Sequence, residues 1–358
     1  MLLFKICKIL LITFLFCGFQ FAQEIVIVSG GNERSFRVNL PSDTNDPIPL
    51  MIILHGLGET SAAWYGVASY TTNQGFATVR PESGTFLSNS GTGNVKLWNA
   101  ILDTARFDDV LFISDVIDYM LTNYDFIDHD RIYVLGSSNG GYMAYRLACD
   151  LAYRITSFTS VVGNMFLDDD GFDCIDQDRD IPILHIHGTE DPINSYYPGG
   201  NGVDILDDQY LTIVESIEFW SDYHEYDVVE IDTILSEVSI RYTYSNDNVL
   251  SNFEHIKVIG GGHVYFYGDN YGFSSTQESI DYFLQYNLSD FIINQEDTND
   301  DGLYNVEDIN VVVDHLFEGL QYNASYDFNL DQNNSIIDVL TLCDLIFYQL
   351  NNYLKKQY

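Results

Sequence analysis

Short apolar runs alternate along the chain with stretches of helical spacing, and this alternation predicts a parallel β-sheet with helices on its faces. Residues 50–54, 132–135, 181–186 and 256–259 are continuous apolar runs of the kind that strands buried on both faces display. Each run leads into glycine or histidine: His55-Gly56, Gly136, His187-Gly188 and Gly260-Gly261-Gly262. Loops beyond the carboxyl ends of such strands carry the ligands and chemistry of open sheets, so these four tips are expected to converge on one site. Residues 110–121 and 140–152 repeat their apolar positions at helical spacing, and 24–40, which stop at Pro41, read as an antiparallel opening hairpin.

Beyond about residue 288 the pattern changes to a chain dense in aspartate and asparagine that repeats itself. Asp297, Asn299, Asp301 and Gly302 recur 30 residues later as Asp327, Asn329, Asp331 and Gln332. Each copy precedes an apolar helical stretch, 309–316 and 339–346, so the two halves are expected to pack face to face and share a small core. Oxygen donors at alternate positions of a short loop, closed by an acid at its end, wrap a hard cation. Asp297, Asn299, Asp301, the Leu303 carbonyl, Asn305 and Asp308 fill the first loop; Asp327, Asn329, Asp331, the Asn333 carbonyl, Ser335 and Asp338 fill the second. One Ca2+ per loop is the expectation. Gln332 stands where the turn favours glycine, which weakens the second site. Asp168, Asp169, Asp170 and Asp173 match no such spacing and read as a solvated acidic loop.

Composition narrows the partners. Fifteen basic residues against 53 acidic ones give a net charge of −38, which repels phosphate backbones and anionic lipids, so no nucleic-acid partner is expected. Residues 1–22 have the layout of a secretory signal peptide: Lys5 and Lys8, an apolar run at 9–16 too short to span a bilayer, and Ala22 before the expected cut. The protein is therefore expected to be exported, to the medium or the cell surface, with no membrane span. In that oxidising setting Cys149 and Cys174, 25 positions apart, are disulfide candidates, while Cys343 falls in an apolar stretch and reads as a buried thiol.

Gly136-Ser137-Ser138-Asn139-Gly140 fits the G-x-S-x-G elbow, whose small flanking residues let a strand turn sharply into a helix with the serine exposed. Its position between the run at 132–135 and the helical stretch at 140–152 is the context that makes Ser138 a nucleophile candidate. A serine hydroxyl needs a base, and the base needs an orienting acid. Asp191 follows the run at 181–186 and His263 follows the three glycines after 256–259, both at strand tips and in the order serine, acid, histidine. Glu190 and Asp204 are rival acids. His185 and His187 read as satisfied core residues, and His129, His224 and His315 lie away from strand tips. In His55-Gly56-Leu57-Gly58 the loop can aim the Leu57 N–H at a developing oxyanion, with the Asn139 N–H as second donor. Trp64, Trp98, Tyr196 and Tyr197 could line a substrate groove, although core packing is the commoner use of such residues.

Four separated blocks, 49–56, 130–143, 182–188 and 261–263, together resemble the polyhydroxybutyrate depolymerase and feruloyl esterase family of α/β-hydrolases, over roughly 48–285. The resemblance implies an α/β-hydrolase fold and a secreted serine esterase with Ser138 as nucleophile, Asp191 as acid and His263 as base. It also implies a disulfide between Cys149, on the helix after the elbow, and Cys174, just before the following strand. Plant-cell-wall esters, acetylated xylan and polyesters are all substrates within such a family. The tail resembles a dockerin-type calcium module, a small all-α domain. Val306-Glu307 and Ile336-Ile337 replace the small hydroxyl residues that many dockerins use for recognition, so a standard cohesin partner is not implied. The domains expected are a leader (1–22), a hydrolase (23–288) and a calcium module (289–350). A serine peptidase or acyltransferase on the same fold, or a calcium-dependent polysaccharide-binding protein with an inert hydrolase domain, are the alternatives.

Overall fold

The computed structural model describes residues 23–44, 46–87, 94–101, 106–165, 181–199, 211–246, 250–292 and 306–317, together with Val339 and Leu342. The predicted leader, Asp204, Cys174, the acidic loop, Cys343 and every expected calcium ligand except Asp308 lie outside these residues.

The elements run in order β1 (Gln23–Ser29), β2 (Asn32–Asn39), β3 (Ile48–Leu54), α1 (Tyr65–Asn73), β4 (Ala77–Pro81), β5 (Gly84–Leu87), β6 (Asn94–Leu97), α2 (Asp109–Asn123) and β7 (Ile127–Ser137). There follow α3 (Asn139–Asp150), β8 (Ser157–Val161), β9 (Ile183–Gly188), α4 (Ile213–Tyr223), β10 (Val228–Ile234), β11 (Ser239–Ser245) and β12 (Phe253–Val258). Helices α5 (Ser275–Phe283), α6 (Ser289–Ile292) and α7 (Val306–Phe317) complete the described chain. Among the described residues one sheet takes the order β1-β2-β4-β3-β7-β8-β9-β12-β11-β10, and β5 pairs with β6 as a separate ribbon. The six strands from β4 to β12 are parallel. Antiparallel pairs close both edges: β1 with β2, as the opening hairpin predicts, and β10 with β11.

Strand periodicity divides the core in two. Leu50, Ile52 and Leu54 of β3 join Phe112, Val116, Met143 and Trp220 under α2, α3 and α4. Met51 and Ile53 point the other way and join Ala68, Ile280 and Phe283 under α1 and α5. Both faces of the strand are covered, which is why its sequence is apolar at every position.

A buried ion pair ties the sheet edge to the site-bearing half. Arg34 on β2 donates to Asp109 Oδ1 at 2.5 Å, and the other carboxylate oxygen accepts the Asn99 N–H at 2.8 Å. Burial pushes the Asp109 carboxyl above its usual value, and Arg34 opposes that shift. The guanidinium also lies 3.9 Å from the centre of the Phe112 ring. Arg34→Met is therefore expected to cost about 3–5 kcal/mol, because it strands a buried carboxylate. Urea unfolding of both proteins checks this, and Arg34→Met with Asp109→Leu should recover much of the loss.

The chain around residue 288 is tied back to the sheet. Asp130 of β7 accepts the Leu288 and Ser289 amides and the Ser289 hydroxyl, at 2.8, 2.5 and 2.6 Å, so α6 remains fastened to it. Farther on, α7 matches the helix predicted at 309–316, and its buried Val312 packs with Val339 and Leu342 from the second copy of the repeat.

Candidate active site

The chain reverses direction at Ser138. Strand β7 ends at Ser137, α3 begins at Asn139, and Ser138 between them sits at φ 53°, ψ −121°. A non-glycine residue in the positive-φ region is held there by its surroundings. Here its N–H donates to Val161 O at 2.8 Å, and its carbonyl accepts from Gly141 N at 2.8 Å and Tyr142 N at 3.1 Å. Glycine is obligatory on either side: a Cβ on Gly136 would lie 2.0 Å from Gly140 O, and one on Gly140 would lie 2.2 Å from Leu54 O.

Two later strand tips meet this serine. The His263 Nε2 lies 2.9 Å from Ser138 Oγ, and its Nδ1 lies 2.8 Å from Asp191 Oδ2. The other carboxylate oxygen, Oδ1, accepts the backbone amides of Ile193 and Asn194 at 2.8 and 2.9 Å. Burial by itself would raise the Asp191 carboxyl, but hydrogen bonds from His187 and His263 outweigh it and hold the group well below the carboxylate range. Of the rival acids, Glu190 has an exposed side chain and Asp204 is outside the described residues. Ser138, Asp191 and His263 are thus brought together as the sequence predicts.

The loop after β3 stands beside the serine. A Cβ on Gly56 would lie 3.5 Å from Ser138 Cβ, which places the Gly56-Leu57 backbone against it. The Gly56 N–H is held by Glu59 Oε2 at 2.8 Å and the Gly58 N–H by Lys96 O at 2.8 Å. Among the described residues no hydrogen bond is made by the Leu57 or the Asn139 N–H. Asn139 opens a helix of 12 residues, whose amino-terminal end favours negative charge.

Several supporting contacts have no signal in the sequence. Asn139 Oδ1 accepts the Trp98 N–H at 2.7 Å, and Trp98 Nε1–H donates to His55 O at 2.9 Å. His55 in turn accepts the Ser83 N–H on Nε2 at 3.2 Å, and burial lowers its pKa. Trp64 Nε1–H donates to Glu59 Oε2 at 2.8 Å. Trp64 and Trp98 are therefore buried braces of the Gly56 turn rather than a groove lining, and Tyr196 is a buried partner of His255. Of the four aromatic candidates only Tyr197 is substantially exposed. Asn194 is a further brace: it binds Asp191, Val162 O and the Tyr142 hydroxyl together. His187 is the satisfied core residue that the sequence predicts, and its Nε2 also lies 3.1 Å from Asp191 Oδ2. Cys149 on α3 is disulfide-bonded, and its expected partner Cys174 is outside the described residues. No group of metal-ligating side chains occurs among the described residues, and no described helix is long and apolar enough to cross a membrane.

A mostly parallel sheet with a serine at the turn after a central strand, and an acid and a histidine on later strand tips, is the α/β-hydrolase arrangement. Residues 36–241 match the phospholipase/carboxylesterase family, and the chain belongs to that esterase family. It is 29% identical over 172 residues to a bifunctional acetylxylan esterase/xylanase of Neocallimastix patriciarum, covering 46% of this chain and 22% of that protein. It is 30% identical over 129 residues to feruloyl esterase B of Neurospora crassa, covering 33% of this chain and 41% of that protein. A probable feruloyl esterase C of Aspergillus niger is 26% identical over 187 residues, covering 49% of this chain and 60% of that protein. The chain thus spans less than two thirds of each of these relatives. An acetyl xylan esterase from Aspergillus awamori shares the fold, with TM-score 0.50 and 14% identity over 73% of this chain and 98% of that one.

Proposed function

We propose that this protein is a secreted serine carboxylic-ester hydrolase acting on feruloyl or acetyl esters carried by a polymer. The observation that carries the reading is the continuous contact Ser138 Oγ, His263, Asp191, with 2.9 and 2.8 Å between successive partners. Ser138 Oγ attacks the ester carbonyl as His263 Nε2 takes its proton. Asp191 Oδ2 keeps the His263 Nδ1–H in place and stabilises the imidazolium. The Leu57 and Asn139 amides receive the tetrahedral oxyanion, helped by the amino-terminal end of α3. His263 then gives its proton to the departing alcohol. Water enters and attacks the acyl carbon as it loses a proton to His263, and the acid departs as Ser138 Oγ takes that proton back.

The substrate class rests on the acetylxylan and feruloyl esterases among the relatives, and polyesters belong with it through the resemblance in the four sequence blocks. The experiment is product release from methyl ferulate, acetylated xylan, short nitrophenyl esters and polyhydroxybutyrate, with Ser138→Ala beside the wild type. Activity on a polymer-type ester that disappears in the variant supports the proposal. A folded wild type that leaves every ester intact overturns it.

The repeat at 289–350 is proposed to hold calcium in its two loops and to dock the enzyme to a cohesin-like or cell-surface partner. Support comes from the doubled donor spacing and from the packing of Val312 on Val339 and Leu342. Calcium at a hundred times its Kd is expected to stabilise this module by about 2.7 kcal/mol, measured by calorimetry against chelator, with kcat on a soluble ester unchanged. A melting profile indifferent to calcium would remove the ion from the account.

A further inference from the structure

Behind Asp191 lies a row of buried polar rings that the hydrolytic steps do not use. The His187 Nε2 faces two acceptors, Asp191 Oδ2 at 3.1 Å and Asn194 O at 3.2 Å. A ring nitrogen set between a carboxylate and a carbonyl must carry hydrogen. The His187 Nδ1 lies 3.2 Å from His185 Nε2, and His185 Nδ1 lies 2.6 Å from the Tyr145 hydroxyl. Burial keeps His185 neutral, driving its pKa well below the usual value. One assignment satisfies every ring nitrogen with no added charge: Tyr145 O–H donates to His185 Nδ1, His185 Nε2–H to His187 Nδ1, and His187 Nε2–H is shared between Asn194 O and Asp191 Oδ2. The row is directed toward the carboxylate oxygen that also receives His263.

Each link is fixed by packing. The side chains of His185, His187 and Asp191 are all buried, and Tyr145 is fully enclosed on α3. The flanking strand β12 pairs His255 with His185 and Lys257 with His187. His255 Nδ1–H donates to His185 O at 3.1 Å, its Nε2 accepts the Tyr196 hydroxyl at 2.7 Å, and burial takes its pKa down to about 3. The Lys257 ammonium sits over the rings of Tyr196 and Tyr197, at 5.4 and 5.7 Å from their centres. Tyr142 of α3, whose hydroxyl donates to Asn194 Oδ1, and His263, on Asp191 Oδ2, are further ionisable groups against the partners of His187.

We propose that His187 is a positioning residue for ester hydrolysis: its Nε2–H shares Asp191 Oδ2 with His263, fixing where the carboxylate points and moderating its pull on the His263 imidazolium. The inference rests on the reading of Ser138, Asp191 and His263 given above. Without the His187 donor, Asp191 holds the His263 imidazolium more strongly. Orientation of the acid is also lost.

Two neutral amides separate this role from packing. The side chain of His187→Gln can carry an N–H to Asp191, and that of His187→Asn is one methylene too short. The full chain is assayed on a nitrophenyl ester across pH, with rates normalised to reactive serine by fluorophosphonate titration. His187→Asn is expected to lower kcat by about tenfold to a hundredfold, as removal of an orienting partner does at histidine sites, with KM little changed. The acid limb of its kcat/KM profile moves to higher pH, and His187→Gln returns both quantities toward wild type. Nitrogen-15 histidine spectra of the wild type, which need no variant to fold, should show His187 protonated on Nε2 and bare on Nδ1. Superimposable pH profiles after normalisation, or the opposite tautomer, overturn the proposal. A wild type without esterase activity, or a Ser138→Ala variant that keeps it, overturns the underlying reading instead, so the two failures are distinct.

Discussion

Replacing Ser138 by alanine is expected to lower kcat on a nitrophenyl ester by about 10⁶-fold while leaving the fold intact. The size follows from what is removed: without Oγ there is no acyl-enzyme, and His263 has no proton to take. What remains is the oxyanion site and the held substrate, which together still exceed water by about 10³–10⁴-fold. Stability should change little, because the Ser138 side chain is only half-buried and its hydrogen-bond partner among the described residues, His263, stays held by Asp191. Alanine at this position carries the same backbone strain, so φ 53° need not relax. Initial rates together with thermal melting of both proteins check the two halves of this expectation.

Asp191→Asn is expected to cost about 10⁴-fold in kcat, through the tautomer of His263. Asp191 Oδ1 must go on accepting the Ile193 and Asn194 amides, so the new NH₂ would point where Oδ2 was. There it meets two N–H groups, from His263 and His187, at a position both now use to donate. His263 escapes only by moving its proton to Nε2, which then faces Ser138 and cannot act as a base. The variant should also lose stability with a characteristic pH dependence. Because the Asp191 carboxyl is depressed in the folded state, its contribution is present above the unfolded value near 3.9 and is lost as pH falls through the folded one. The stability gap between wild type and Asp191→Asn should accordingly be full at neutral pH and close in strong acid, as urea unfolding at several pH values would show.

Much of the architecture was legible because burial on both faces writes itself into continuous apolar runs. Strands β3, β7, β9 and β12, the helices α2 and α3, and the opening hairpin all lie where the pattern predicts. Strand β8 escaped it: Ser157, Thr159 and Ser160 are fully buried yet read as polar. Ser157 Oγ donates to Pro182 O at 3.0 Å and Ser160 Oγ to Gly163 O at 2.9 Å, so these two hydroxyls are satisfied locally, whereas Thr159 Oγ1 has no partner among the described residues. The strand matters to the site because its end carries Val161 O, which holds the Ser138 amide, and Val162, a β-branched residue at φ 48°.

The site divides in the same way. Ser138, Asp191 and His263 were found because each follows a strand in a fixed order, a property of the chain. The braces Asn194, Trp98 and Glu59 were not, since their partners, backbone groups and the side chains of Tyr142, Asn139 and Trp64, are brought near only by the fold. His187 illustrates the difference most clearly: its apolar neighbours Ile186 and Leu184 mark it as core, and its burial is complete. Only the curl of the loop after β9 places Asp191 over its Nε2.

The central claim is that Ser138 forms the acyl-enzyme, and trapping that serine tests it most directly. The full chain is treated with a fluorophosphonate, digested, and the adduct located by mass spectrometry alongside residual ester hydrolysis. The account predicts a single adduct on Ser138, loss of hydrolysis in step with labelling, and no adduct in Ser138→Ala. Hydrolysis that persists with Ser138 fully labelled, or inactivation by an adduct on another residue, would contradict it.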